Sequence, residues 1–195
     1  MINRKKIEQI AFKCRGAFWG AFALGVLLFP CDYEITRFLL GLFLVLIGQF
    51  LRFWAAGYIP EYRTETIGAP ELITWGPYKW VRNPLYSSNF IMGLGLSLML
   101  GYVWVVAFTC AFILLYVCIV IPGEEKFLAS KFGEMYVSYK EKVPPLLPFP
   151  RKGFPDIRGI ERPFDKKSSF SREIYSVFVN LIVLFLIFAK LYFRG

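Results

Sequence analysis

The longest uncharged run in the sequence covers residues 85–123 and contains no Asp, Glu, Lys or Arg in 39 positions. One membrane-crossing helix needs roughly 20 apolar residues, so the run is long enough for two helices. Gly101 and Tyr102 lie near its middle, where a glycine permits a tight turn. The pattern therefore predicts a helical hairpin, and the two ends of this hairpin return to the same side of the membrane.

Three further uncharged stretches each have about the length of one membrane helix, and they cover residues 16–31, 38–51 and 174–189. Hydrophobic residues make up 56% of the chain, far more than a water-soluble domain of this size needs. The predicted fold class is an all-α integral membrane protein with about five transmembrane helices. We divide it into 1–50 with an amphipathic lead and the first two membrane helices, 51–148 with the hairpin and its flanks, and 149–195 with a cytosolic linker and the C-terminal membrane helix.

The positive charges indicate the orientation of these helices. With a cytosolic N-terminus, segments 1–15, 52–82 and 124–172 are cytosolic, and together they hold 20 of the 23 Lys and Arg residues. The net charge of +9 is then explained by topology and by attraction to anionic headgroups. We therefore expect a membrane as partner and no nucleic acid. The short chain without a retention signal at Phe193-Arg194-Gly195 favours a bacterial or archaeal cytoplasmic membrane.

The sequence contains no histidine, and its four cysteines show no C-x-x-C spacing. Imidazole bases and Ser/His or Cys/His nucleophile pairs are therefore excluded, and neither a disulfide nor a metal site is predicted.

An aromatic, basic segment precedes the hairpin. Residues 74–86 contain two Trp, two Tyr, two cations and two Pro. Gly76-Pro77 predicts a turn, and Pro84 predicts the start of a helix, where its missing N–H costs nothing. An interfacial aromatic belt is the alternative interpretation, since Trp and Tyr are common at membrane edges. A belt does not require the prolines, the arginine and a downstream acidic pair together.

The acidic pair Glu124-Glu125 follows the hairpin, so the hairpin brings it level with Arg82 at one membrane surface. Beyond it, an apolar face predicts one amphipathic interfacial helix that ends at Pro144-Pro145 and covers the site. The residues of this face are Leu128, Phe132, Met135, Tyr139 and Val143. An alternative for the acidic pair is charge complementarity with the N-terminus of that helix.

The motifs resemble one known family in order and spacing. Gly76-Pro77-Tyr78, Arg82-Asn83-Pro84-Leu85-Tyr86, and Glu124-Glu125 with Leu128, Phe132-Gly133, Tyr136 and Tyr139 resemble the isoprenylcysteine carboxyl methyltransferase and phospholipid methyltransferase superfamily. The resemblance covers about 51–148. Asn83 stands where the family usually has His, and Ser88 stands where it usually has Gly. An amide can still donate and accept hydrogen bonds.

The resemblance implies a membrane enzyme with S-adenosylmethionine as cofactor, bound in a cytosolic pocket capped by the amphipathic helix. Arg82 suits the cofactor's carboxylate, Glu124 and Glu125 suit its ammonium and ribose hydroxyls, and aromatic faces such as Tyr78, Tyr86 or Trp80 suit its sulfonium. The complete cofactor-binding set implied is Tyr78, Arg82, Asn83, Pro84, Tyr86, Glu124 and Glu125. We expect catalytic roles for Arg52 and Glu125.

The resemblance also implies a lipophilic methyl acceptor, a carboxylate, thiol or amine, that enters from the bilayer. Arg52, near the cytosolic end of the second helix, is interpreted as an anchor for an acceptor carboxylate or phosphate, with snorkelling to headgroups as the equal alternative. A reductase related to sterol reductases and a non-catalytic protein with the same fold are alternative functions. Small residues at intervals of four on two helices favour close packing and a monomer or weak homodimer; they are Ala17, Ala21, Gly25, Gly93, Ser97 and Gly101.

Overall fold

A computed structural model describes residues 17–25, 28, 34–59, 71–148 and 163–192. Within these ranges the regular elements are all helical, and no residue is assigned to a strand. The described helices are α1 (17–25), α2 (Ile35–Ala56), α3 (Pro84–Leu100), α4 (Tyr102–Phe112), α5 (Ile121–Phe132), α6 (Glu134–Lys142) and α7 (Lys166–Tyr192). A 3₁₀ helix covers Gly76–Lys79, and a π-helix covers Ile113–Val120.

Three of the described helical stretches are long and apolar enough to cross a membrane: Ile35–Ala56, Tyr102–Phe132 and Lys166–Lys190. The apolar helix α3 has 17 residues and is shorter than these three. The protein is thus an all-helical integral membrane protein. The predicted amphipathic lead lies outside the described residues, and the predicted span over residues 16–31 falls partly outside them. Residues 149–162 of the linker predicted over 146–172 lie outside them as well.

The predicted hairpin is confirmed at both of its defining positions. α3 begins at Pro84, and Gly101 separates it from α4 with a φ of 126°, a conformation that side-chain-bearing residues rarely adopt. Inside the hairpin, a Cβ on Gly93 would lie 1.9 Å from the Phe108 ring. The small residue therefore lets α4 approach α3 closely, which confirms intramolecular packing at this position.

The second arm of the hairpin is longer than expected. The helix continues through the π-helix into α5, and Val120 and Ile121 at the junction both have right-handed helical angles. Tyr102–Phe132 is therefore one stretch of 31 residues, with Glu124 and Glu125 inside it. The alternative that the acidic pair complements a helix N-terminus is wrong, because the backbone N–H groups at this point bond within the helix.

The amphipathic segment after the acidic pair is two helices, not the one that was predicted. Gly133 separates α5 from α6 with a φ of 54° and a ψ of −132°. The break shifts the helical phase, so Met135 is 44% exposed whereas Tyr136 is 1% exposed. The buried face therefore carries Tyr136 instead of Met135, together with Tyr139 and Val143, and it packs on Leu72.

Glycines also set the distance between α2 and α3. A Cβ on Gly95 would lie 2.5 Å from the Gly41 carbonyl oxygen, and a Cβ on Gly48 would lie 2.4 Å from the Met92 side chain. No side chain fits at these points without a shift of its neighbours. α2 and α3 therefore cross at nearly backbone contact, as small residues permit in membrane proteins.

The C-terminal helix begins earlier than the uncharged run suggested. α7 begins at Lys166, so residues 166–172 are helical and the prediction of a linker there is wrong. The Ser168 amide donates to the Asp165 carboxylate at 3.0 Å, which satisfies one of the first N–H groups of the helix. Contacts of Phe53 with Ser169 and of Gln49 with Ser176 show that α7 runs antiparallel to α2.

Candidate functional site

The hairpin brings Arg82 and Glu125 into direct contact, as the sequence predicted. The Arg82 Nη2 and Nε atoms donate to Glu125 Oε1 at 2.6 and 2.9 Å, across 43 positions of sequence. Only 8% of the Arg82 side chain and 10% of the Glu125 side chain are exposed. Two donors on one oxygen of a largely buried carboxylate form a strong, charge-assisted contact.

The remaining donors of Arg82 fix the end of α6. Its Nη1 donates to the Lys140 carbonyl oxygen at 2.8 Å and also to the Val143 carbonyl oxygen. Lys140 Nζ in turn lies 2.9 Å from Glu125 Oε2, so both oxygens of Glu125 have cationic partners. A guanidinium has five N–H groups, and contacts among the described residues use four of them. The fifth, on Nη2, is on the side chain that also interacts with the Tyr136 hydroxyl.

Asn83 holds the segment after α6 against the start of α3. The backbone amides of Arg82 and Asn83 donate to the carbonyl oxygens of Pro144 and Pro145 at 2.8 and 3.1 Å. The Asn83 Nδ2 donates to the same Pro145 oxygen at 3.1 Å. Pro84, buried at the first position of α3, has no N–H to satisfy. Asn83 is thus placed at the site, where its amide closes a loop.

Tyr86 and Glu124 form a second contact between the two predicted motifs. The Tyr86 hydroxyl donates to Glu124 Oε1 at 2.6 Å. The Tyr86 ring lies 5.2 Å from the Tyr116 ring, and Tyr116 belongs to the π-helix and is 1% exposed. The wider turn therefore positions an aromatic ring behind the acidic pair, and π-helical turns are frequent at functional sites.

Two buried tyrosines complete the site on the side of α6. Burial raises the pKa of Tyr136, and the neighbouring Glu125 carboxylate raises it further. Burial also raises the pKa of Tyr139, whose hydroxyl donates to the Tyr78 carbonyl oxygen at 2.7 Å. Within the described part of the chain, the Tyr136 hydroxyl donates to no group. It is therefore a neutral donor available beside Glu125.

Arg52 has partners that the sequence analysis did not identify. Its Nε donates to a carboxylate oxygen of Glu173 on α7, and its Nη1 donates to Asn89 Oδ1 on α3 at 2.5 Å. Its charge is therefore balanced inside the protein, and the snorkelling alternative does not describe it. Glu173 was missed because it lies just before the uncharged run. The polar positions 169, 173, 176 and 180, spaced by three or four, were the signal that α7 packs on another helix.

The residues of this site fit S-adenosylmethionine in the chemistry of their donors and acceptors. Carboxylates at Glu124 and Glu125 suit an ammonium and ribose hydroxyls. The Tyr136 hydroxyl, which donates to no described group, suits an acceptor atom of the cofactor. Trp80, half exposed, and Tyr78 lie on or next to the 3₁₀ helix that precedes Arg82. The fit differs from the expectation for Arg82, which was expected to bind the carboxylate of the cofactor. Most of its N–H groups donate to Glu125, Lys140 and Val143 of the protein itself.

Comparison with known proteins identifies relatives. The chain is 37% identical over 115 residues to the cobalt-zinc-cadmium resistance protein CzcN of Cupriavidus metallidurans, covering 58% of this chain and 49% of that protein. It is 32% identical over 138 residues to protein-S-isoprenylcysteine O-methyltransferase of Xenopus laevis, covering 67% and 48%. A probable protein-S-isoprenylcysteine O-methyltransferase of Oryza sativa subsp. indica is 35% identical over 131 residues, covering 63% and 68%.

The chain spans about half the length of the first two of these relatives. No solved structure matches it. A family model described as phospholipid methyltransferase matches residues 36–135, which include α2, the hairpin, Arg82 and the acidic pair. Because this match covers more than half of the 195 residues, the chain belongs to the phospholipid methyltransferase family, the superfamily that its motifs indicated.

Proposed function

We propose that this protein transfers a methyl group from S-adenosylmethionine to a lipophilic acceptor at the cytosolic face of a membrane. The observation that carries the proposal is the contact of Arg82 with Glu125, which joins the segment before the hairpin to the helix after it. The names of the relatives, which include isoprenylcysteine O-methyltransferases, support the same reaction class. The five-span topology, with α6 covering a cytosolic pocket, is part of this proposal.

Glu124 and Tyr136 are the proposed direct contacts of the cofactor. The carboxylate of Glu124, already fixed by Tyr86, suits an ammonium or a ribose hydroxyl, and the Tyr136 hydroxyl suits an acceptor. Arg82 offers its last N–H to the carboxylate of the cofactor and otherwise positions Glu125. S-adenosylmethionine supplies a methyl group on a cationic sulfur, which aromatic faces such as Tyr78, Tyr86 and Trp80 stabilise.

Little proton transfer is required of the chain, which suits a protein without histidine. A methyl acceptor that arrives as an anion or a neutral amine needs alignment and exclusion of water. Glu125 remains the candidate for contact with the acceptor, although both of its oxygens have cationic partners. Arg52 remains a candidate for holding the polar end of the acceptor, and it would do so as half of an ion pair with Glu173.

A binding experiment with tritiated S-adenosylmethionine and protein in nanodiscs tests the proposal. Saturable binding by the wild type and at least about a tenfold loss in Glu124→Gln are expected, since a charge-assisted contact is removed. Glu134→Gln, which changes an exposed carboxylate on α6, is the matched control and keeps wild-type affinity. Methyl transfer to added lipid thiols, amines and carboxylates then identifies the acceptor. Absence of saturable binding would exclude the proposed cofactor, while binding without transfer would favour a non-catalytic protein.

A further inference from the structure

A groove of about 270 Å³ lies between α2 and α7, apart from the Arg82 site. Apolar side chains form most of its wall, namely Leu46, Phe50, Phe53, Phe170, Ile174 and Val177. Phe50 and Phe170 are 67% and 61% exposed on helices long enough to cross a membrane, so the groove faces lipid. Its shape and lining therefore suit the hydrocarbon chain of a molecule that is dissolved in the bilayer.

Two polar residues, one from each helix, border the groove, and their unpartnered polar atoms are buried next to it. Glu173 lines it and is 1% exposed. One carboxylate oxygen of Glu173 accepts from Arg52, while Oε1 has no hydrogen-bond partner within the described residues. An unpartnered carboxylate oxygen at this depth is costly, and ionisable groups in membrane segments usually mark a ligand path.

Gln49, the second polar residue, offers the opposite hydrogen-bonding group. Its Oε1 accepts from Asn180 Nδ2 at 2.8 Å and from the Ser176 hydroxyl at 3.3 Å, which fixes the amide. Its Nε2 is buried and has no partner within the described ranges. Gln49 precedes Arg52 by three positions and Ser176 follows Glu173 by three, so the residues Gln49 and Glu173 lie about one helical turn apart along the contact of α2 with α7.

We infer that this groove binds a long-chain lipid alcohol, whose hydroxyl donates to Glu173 and accepts from Gln49. A hydroxyl is the smallest headgroup that is both donor and acceptor. Arg52 already balances the charge of Glu173, so the site as a whole is neutral and favours a neutral headgroup. The inference goes beyond methyl transfer and does not depend on it.

Two other headgroup classes fit the groove less well. A carboxylate would bring a second negative charge next to Glu173 and would leave its Oε1 without a donor. An ammonium has only donors, so it would leave the Gln49 Nε2 unpartnered and would add an uncompensated charge to a neutral site. The order of affinity expected for one chain length is therefore alcohol first, with amine and carboxylate both weaker.

Photolabelling in nanodiscs tests the inference. Nanodiscs of phosphatidylcholine, which carries no hydroxyl, hold the wild-type protein without any methyl donor and receive diazirine-bearing hexadecanol, hexadecanoate or hexadecylamine. We expect labelling of α2 and α7 to saturate at a mole fraction of hexadecanol at least about tenfold lower than that of hexadecanoate or hexadecylamine. The carboxylate and the amine each leave a buried polar group of the protein without a hydrogen-bond partner. Glu173→Gln is expected to abolish this preference.

A matched pair of variants keeps the test valid where Glu173→Gln fails to fold. Ile174→Trp fills the groove, whereas Ile182→Trp makes the same change at a position on α7 that is 56% exposed and outside the groove. We expect loss of saturable labelling only in Ile174→Trp. Equal labelling by the three probes, tighter binding of the amine or carboxylate, or unchanged labelling of Ile174→Trp would each overturn the inference. Because no methyl donor is present, failure of the proposed methyl transfer would not affect this result.

Discussion

Arg82 and Glu125 lie 43 positions apart, yet two N–H groups of the arginine share one oxygen of the glutamate at 2.6 and 2.9 Å. The same guanidinium reaches the carbonyl oxygens of Lys140 and Val143 at the end of α6. One side chain therefore joins the start of α3, the α5 part of the long Tyr102–Phe132 stretch and the end of α6. This makes Arg82 a structural centre of the site as well as a candidate ligand.

Replacing Arg82 is expected to lower stability as well as cofactor affinity. Arg82→Ala leaves a largely buried carboxylate with one cationic partner and two carbonyl oxygens without donors, a loss of about 3 kcal/mol. Arg82→Lys is expected to be intermediate, because an ammonium cannot reach all three acceptors. Thermal unfolding followed by tryptophan fluorescence measures the effect, with Lys126→Ala on exposed α5 surface as control. Wild-type unfolding temperature in Arg82→Ala would contradict the structural role.

The two glutamates of the acidic pair are expected to differ when each is replaced by glutamine. Glu125→Gln loses charge complementarity with both Arg82 and Lys140, so its unfolding temperature falls. Glu124→Gln keeps an oxygen for the Tyr86 hydroxyl, so its stability changes by less than about 1 kcal/mol while cofactor affinity falls. Equal losses of stability in the two variants, measured by thermal unfolding and S-adenosylmethionine binding, would contradict this division.

The sequence was sufficient to predict the features that depend on local rules. Pro84 and Gly101 mark the ends of α3 because proline and glycine restrict or permit particular backbone angles. The absence of charge over residues 85–123 predicted the hairpin, and the hairpin predicted the meeting of Arg82 with the acidic pair. The family motifs identified the same residues, and the family match confirmed the superfamily.

The features that sequence reasoning missed depend on tertiary contacts. The backbone amides of Arg82 and Asn83 donate to the carbonyl oxygens of Pro144 and Pro145. Every residue has a backbone carbonyl, so such a contact cannot be recognised from residue types in the sequence. The break at Gly133 moved Tyr136 onto the buried face in place of Met135, because a single left-handed residue resets the helical period. Glu173 was overlooked because charge at the edge of an apolar run is usually assigned to the headgroup region.

Asn83→His is expected to remain active, with a new pH dependence. The Asn83 amide donates to the Pro145 carbonyl oxygen at 3.1 Å, and a neutral imidazole N–H can make the same bond. The wild-type sequence has no histidine, so its rate should show no titration near pH 6.5, about where an imidazole ionises. Turnover against pH for wild type, Asn83→His and Asn83→Ala provides the measurement. Activity found only in Asn83→His would show that a proton acceptor is required at this position.

Gly133→Ala is expected to destabilise the α5–α6 junction even though a Cβ would have open space. No heavy atom lies within 4 Å of a Cβ built there, but the φ of 54° with a ψ of −132° disfavours any residue with a side chain by roughly 1 to 3 kcal/mol. Gly20→Ala in α1 is the matched control, because it also has open space and lies in a helix, where alanine is favoured by about 1 kcal/mol. The unfolding temperature is therefore expected to fall in Gly133→Ala and to rise in Gly20→Ala. Equal changes in the two variants would contradict the argument from φ.

Tyr136 is expected to make the protein sensitive to alkaline pH. Burial and the Glu125 carboxylate raise the pKa of Tyr136 in the folded state, so the folded chain keeps this proton while the unfolded chain loses it above about pH 10. The stabilising contribution is therefore complete below pH 10, and it decreases by about 1.4 kcal/mol for each pH unit above that value, up to the folded-state pKa. Tyr136→Phe has no proton to lose, so its free energy of unfolding should fall less steeply between about pH 10 and 11. Denaturant unfolding at a series of pH values measures both slopes, and parallel curves would show that the Tyr136 hydroxyl is not held in its neutral form by the fold.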